Sequence, residues 1–161
     1  MAFEASIQAG AEALGKLLLA RGWRLAAAES CTGGWLAKSV TDIPGSSAWF
    51  DRGFVTYSNQ AKRDMLEVAE SVLLEHGAVS EACVLSMAEG ALRHSKADIS
   101  VAISGIAGPG GATPGKPVGT VWLAWARRGE RAHAQRCVFA GDREAVRAQA
   151  VIEGLNGLLK L

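Results

Sequence analysis

Apolar residues recur at helical spacing at Ile7, Ala11, Leu14, Leu18 and Leu19, predicting a helix from about Ser6 to Arg21, and Gly22 ends the run. The rhythm then changes. Arg24–Glu29 (RLAAAE) is a short apolar run of strand type that breaks at Ser30-Cys31-Thr32-Gly33-Gly34, and Trp35–Val40 is helical again. Pro44-Gly45 closes this strand–turn–helix unit, and Trp49–Tyr57, rich in aromatic and β-branched residues, predicts a second strand. Lys62–Leu66 and Ala69–Leu74 are short helical segments, and Glu81–His94 is a longer amphipathic helix. Asp98–Ile103 (DISVAI) has the character of a buried strand and leads into a Gly/Pro loop over Ser104–Gly119. Val118–Ala126 and Ala132–Phe139 predict two strands joined by a polar turn through Arg127-Arg128-Gly129-Glu130. Asp142 is a good N-cap for a last helix running to about Leu159.

Helices and strands interleaved in this way imply an α/β domain with a largely parallel sheet between helical layers. The two neighbouring strands near the C-terminus form a hairpin, which makes the sheet mixed. With no linker, repeat or low-complexity segment, the expectation is a single domain over residues 1–161.

Composition narrows the function classes. Hydrophobic residues make up 49% and charged residues 20% of the chain, a globular balance that can build a core without disulfide or metal staples. A formal net charge of +1 argues against a nucleic-acid-binding protein. Cys31, Cys83 and Cys137 are odd in number and lack CxxC spacing, which fits a reduced, cytoplasmic protein. His76, His94 and His133 match no metal-ligand spacing, so no metal site is expected. The N-terminus carries no apolar signal core, and no apolar run is long enough to span a membrane.

Four segments carry candidate chemistry. In Glu29-Ser30-Cys31-Thr32-Gly33-Gly34 a serine sits where a strand ends and a helix begins, the edge where α/β sites form. Helix N-terminal amides there can face an oxyanion or anionic ligand, and Gly33 and Gly34 permit close approach. Taken alone, the segment also fits a helix cap at Ser30 or Thr32, the more frequent role of these residue types. Cys31 is an alternative nucleophile without a histidine nearby. In Tyr57-Ser58-Asn59-Gln60-Ala61-Lys62, a desolvated Lys62 can serve as the base that serine needs, with Tyr57 relaying the proton or donating to the leaving group. The alternative is a solvated lysine following a strand end.

The loop Ser104–Gly119 contains GxxxxGK over Gly110–Lys116. Pro117 stands where a P-loop needs Ser or Thr, and a strand rather than a helix follows, so an NTPase reading fails. In Gly141-Asp142-Arg143-Glu144-Ala145-Val146-Arg147, Arg143 and Arg147 share one helix face and suit a phosphate, or are plain surface charges.

Together, ESCTGG, TYSNQAK, SGIAGPGG…GKPVGTV and GDREAVR, in this order and spacing, resemble the CinA C-terminal-domain family over about residues 4–160. The resemblance implies a three-layer α/β/α sandwich with a mixed, mostly parallel sheet. The family includes stand-alone nicotinamide-nucleotide amidases, whose length this chain matches. It therefore implies hydrolysis of the carboxamide of nicotinamide mononucleotide to nicotinate mononucleotide and ammonia in pyridine nucleotide salvage, without a cofactor and commonly as a homo-oligomer. Position by position, the catalytic residues fall on Ser30, Tyr57 and Lys62. Substrate-binding positions fall on Cys31, Thr32, Gly33 and Gly34, on Gly105, Ile106, Ala107, Gly108, Gly110 and Gly111, and on Arg143. Oxyanion donors are expected near Gly33 and Gly34, and Glu29 is either an assisting base or a cap. Two positions depart from the family pattern: Ser104 stands where Thr is usual, and Glu67 where Gly is frequent. A non-enzymatic, competence- or damage-associated binding module is the competing class.

Overall fold

A computed structural model describes residues 2–161. The chain runs α1 (Glu4–Arg21), β1 (Leu25–Glu29), α2 (Trp35–Thr41), a 3₁₀ turn (Ser46–Ala48), β2 (Phe50–Val55), α3 (Asn59–Leu66), α4 (Glu70–His76), α5 (Glu81–Arg93), β3 (Ile99–Gly105), β4 (Thr120–Arg127), β5 (His133–Val138) and α6 (Arg143–Leu159). The strands form one sheet in the order β2-β1-β3-β4-β5. β1 pairs in parallel with β2 and β3, and β3–β4 and β4–β5 are antiparallel. The sheet is therefore mixed, as expected. Its pairings divide evenly, and only β4 runs against the other strands.

Strand alternation sorts the core into two layers. Leu25 and Ala27 of β1 and Ile99, Val101 and Ile103 of β3 face α1, α2 and α6. Ala26, Ala28 and Ala102 face α3, α4 and α5 instead. Alanines on that second face let the helices lie close to the sheet. α5 also lies close against α3: a methyl group at Gly90 would collide with the Leu66 backbone carbonyl at the end of α3. Gly90→Ala should destabilise the fold by about 1–3 kcal/mol through overpacking, less the fraction returned by alanine's helix propensity. Denaturant midpoints check this, and a midpoint at or above wild type would contradict the close α3–α5 contact.

Side-chain caps fix the helix starts. Ser58 Oγ accepts from Ala61 N–H, Ser80 Oγ from Cys83 N–H, and Asp142 Oδ1 from Ala145 N–H, the last as the sequence predicts. β4 begins at Thr120 rather than Val118 because residues 117–120 make a turn, with Gly119 at φ 95° and Thr120 N–H bonded to the Pro117 carbonyl. No helix among the described residues is long and apolar enough to cross a membrane.

Candidate active site

The carboxyl ends of the parallel strands β2, β1 and β3 meet α3 at one edge of the sheet, the usual place for a site in an α/β fold. The alternation that turns Ala26 and Ala28 toward α3–α5 carries Ser30 to that same face, and Lys62 reaches it from α3. Lys62 Nζ lies 2.9 Å from Ser30 Oγ and donates to the Thr56 carbonyl at 2.7 Å. The lysine is 1% exposed, and among the described residues no carboxylate pairs with it. Burial therefore holds its pKa below the ordinary 10.5. A neutral lysine against a serine hydroxyl is the arrangement a Ser–Lys nucleophile needs.

The turn after Ser30 is braced from two sides. Glu29, 1% exposed, accepts from Thr32 Oγ1 at 2.7 Å, from Leu36 N–H at 2.8 Å and from Ala37 N–H at 3.0 Å. Gly34 is the N-cap residue of α2, and the side chain that accepts from its first-turn amides is Glu29, not Ser30 or Thr32. Arg147 donates to the carbonyls of Cys31 and Thr32 at 2.9 and 3.2 Å and lies over the Trp35 ring. Its guanidinium is committed to the turn, which corrects the expectation that Arg147 joins Arg143 in receiving a phosphate. Gly33 N–H is also spent, on the Ser30 carbonyl at 3.0 Å. Among the described residues the amides of Cys31, Thr32 and Gly34, unlike that of Gly33, make no hydrogen bond to a protein oxygen. Thr32 is fully buried, and Gly33 and Gly34 shape the turn with φ of 59° and 100°.

Cys31 lines the site, but burial pushes its thiol up to about 11. It stays protonated at neutral pH, and no histidine stands beside it, so the cysteine alternative loses its chemistry.

A cavity of about 250 Å³ opens over the dyad. Ser30, Cys31, Tyr57, Lys62, Gly105, Ala107 and Arg143 line it, together with Asn59 and Ser104, which the motifs contain without a site role, and Ala78 and Val79, which lie outside them. Tyr57 is 63% exposed and stands at the mouth, where its hydroxyl accepts from Arg143 Nη2 at 3.3 Å. Arg143 also donates to the Gly108 carbonyl at 2.9 Å, tying the glycine-rich loop to the start of α6. Ile106, Gly108, Gly110 and Gly111 lie outside the cavity lining, and Ile106 is held by backbone bonds to Gly119 and Thr120. Lys116 donates to the His76 carbonyl at 2.8 Å and is not among the residues that line this cavity. A wider groove of about 680 Å³ lies between α1 and α2, but it holds no buried nucleophile.

The chain belongs to the CinA C-terminal domain family, whose model matches residues 7–161. Among its relatives is the nicotinamide-nucleotide amidohydrolase PncC of Escherichia coli (strain K12), 58% identical over 148 residues, or 91% of this chain and 89% of that one. The Pseudomonas putida protein of the same name is 55% identical over 134 residues, 83% of each chain. In structure, the chain matches the competence/damage inducible protein CihA from Agrobacterium tumefaciens with a TM-score of 0.94 and 43% identity, covering 97% of this chain and 96% of that one. The motif resemblance and the α/β fold are both borne out.

Proposed function

We propose that this protein hydrolyses the carboxamide of nicotinamide mononucleotide, giving nicotinate mononucleotide and ammonia through an acyl-enzyme on Ser30. The observation that carries the reading is the 2.9 Å contact between Ser30 and a buried, charge-depressed Lys62. The 58% identity to a nicotinamide-nucleotide amidohydrolase supplies the substrate.

Neutral Lys62 takes the Ser30 proton as Oγ attacks the carboxamide carbon. The free turn amides receive the oxyanion, each such donor being worth about 3 kcal/mol. The C–N bond breaks with delivery of the proton that Lys62 holds, and ammonia leaves. Water, deprotonated by Lys62, then opens the ester and restores Ser30. The reaction uses no cofactor. The rate should rise with pH to a plateau, with a limb that reports Lys62 below the ordinary lysine value of 10.5.

Arg143 and Tyr57 at the mouth are the groups for the phosphoribosyl part, with the charge on Arg143 directed to the phosphate. Arg143→Ala should raise KM for the mononucleotide at least about tenfold, the loss of one charge-assisted pair. KM for nicotinamide riboside, which lacks the phosphate, should change far less. Equal effects on both substrates would sink the assignment of Arg143.

The reading includes a cytoplasmic setting, supported by three free cysteines, and assembly as a homo-oligomer. An adaptor has no use for a buried unpaired lysine against a serine, a costly arrangement that favours the enzyme over a binding module. Ammonia release from nicotinamide mononucleotide by the purified protein tests the proposal. Absence of release would overturn it.

A further inference from the structure

Ser104 ends the alternation of β3 that turns Ser100 and Ala102 toward α5, so its side chain emerges on the same face as Ser30 of the adjacent strand. Glu29 and Ile103 are in register, and Ser30 N–H donates to the Ile103 carbonyl at 2.9 Å, which sets Ser30 and Ser104 side by side at the strand ends. Ser104 is 1% exposed and lines the dyad's cavity. The buried serines Ser39, Ser80 and Ser100 each donate to a backbone carbonyl. Ser104 does not: its hydroxyl has no partner among the described residues. A buried hydroxyl left unpaired beside a cavity is completed by what enters the cavity. Thr56 and Ser46 are also buried with hydroxyls that have no partner among the described residues, but neither lines that cavity.

We propose that Ser104 is a catalytic residue of the amide hydrolysis, holding the carboxamide nitrogen of the substrate and handing it the proton with which it departs. This rests on the Ser30–Lys62 reading above and adds what that reading leaves open, the route of the proton to the leaving group. An amide nitrogen cannot leave as an anion at neutral pH. The free turn amides draw the oxyanion to the α2 side of Ser30, and the β3 side, where Ser104 stands, is left for the nitrogen. Tyr57 is less suited, because it lies out at the cavity mouth with its oxygen engaged by Arg143.

The step balances within the site. After attack, Lys62 carries the proton taken from Ser30. As the C–N bond breaks, the Ser104 O–H proton passes to the nitrogen, and the Ser104 oxygen takes the proton from the Lys62 ammonium. Ammonia leaves, the carbonyl re-forms as the Ser30 ester, and both Ser104 and Lys62 return to their starting states. Deacylation expels serine rather than an amine and does not use this route.

Ser104→Ala and Ser104→Thr, each assayed in the full chain, test the proposal with paired substrates: nicotinamide mononucleotide and the phenyl ester of nicotinate mononucleotide. Phenoxide departs without a proton, and a nucleophile that opens an amide opens this more reactive ester. Ser104→Ala should lower kcat for ammonia release by about 10²–10³-fold, the usual worth of a general acid, and phenol release by less than about threefold. Ser104→Thr should recover ammonia release to within about tenfold of wild type by restoring the hydroxyl. Binding of nicotinate mononucleotide should be unchanged in both variants. Equal losses on amide and ester, no loss on either, or impaired product binding would overturn the assignment while leaving Ser30 and Lys62 in place. A wild-type protein that releases neither ammonia nor phenol would overturn the parent reading as well.

Discussion

Lys62→Met should abolish ammonia release, by at least about a thousandfold, and yield a protein more stable than wild type at neutral pH. The loss follows because among the described residues no other base touches Ser30 Oγ: the three histidines lie elsewhere, and the Glu29 carboxylate is engaged by Thr32 and two amides of α2. The gain follows from burial. Lys62 is 1% exposed with no carboxylate partner, and an ammonium so placed costs several kcal/mol of desolvation. Methionine fills similar space without a charge. It leaves the Thr56 carbonyl without its donor, a cost of about 1–3 kcal/mol that is smaller than the charge penalty.

Below the lowered folded-state pKa the lysine is charged in both states, and the folded state bears the full penalty. Between that value and the unfolded 10.5, the unfolded chain binds the extra proton, so wild-type stability rises with pH. The advantage of the methionine variant should therefore shrink from pH 7 toward pH 10. Thermal denaturation at the two values decides it, and an advantage that grows with pH would contradict the account.

Glu29→Ala should be the most damaging change to the scaffold. It strips acceptors from the Thr32 hydroxyl and from two amides of α2, two of the three bonds being buried and the third partly buried. A lost cap is worth about 1 kcal/mol and each buried unpaired donor about 1–3, so a destabilisation of roughly 3 kcal/mol or more is expected. Turnover falls with it, because the turn that presents Ser30 and the oxyanion amides loses its anchor. Glu29→Gln keeps an acceptor oxygen and the side-chain shape, and should retain much of both. If Glu29 were instead the base, glutamine would be as inactive as alanine while remaining well folded.

The sequence made the local units readable and the long-range brackets unreadable. The strand–turn–helix around Ser30 announces itself through RLAAAE, two glycines and a helical run, and Asp142 through its place before a periodic segment. Alternation along DISVAISG also places Ser104 on the Ser30 face, a signal that the motifs obscured by joining it to the loop. Arg147 could not be read this way. Its spacing from Arg143 describes one helix face, but its acceptors lie more than a hundred residues earlier, in the turn after β1. The same holds for Glu29, whose cap role depends on how the turn folds back, and for Tyr57, which only the packing of α6 ties to Arg143. The sheet is mixed and mostly parallel in strand direction, as the sequence implies, because crossover helices precede β1, β2 and β3. The reversed β4 follows from the loop that returns the chain beside β3 without a helix.

The most direct test of Ser30 as the nucleophile is mass spectrometry of the protein quenched in acid during turnover of nicotinamide mononucleotide. The account predicts a nicotinate-mononucleotide acyl group on the peptide containing Ser30, absent from Ser30→Ala, which releases no ammonia. Full ammonia release by Ser30→Ala, or an acyl group carried on Cys31 instead, would contradict it.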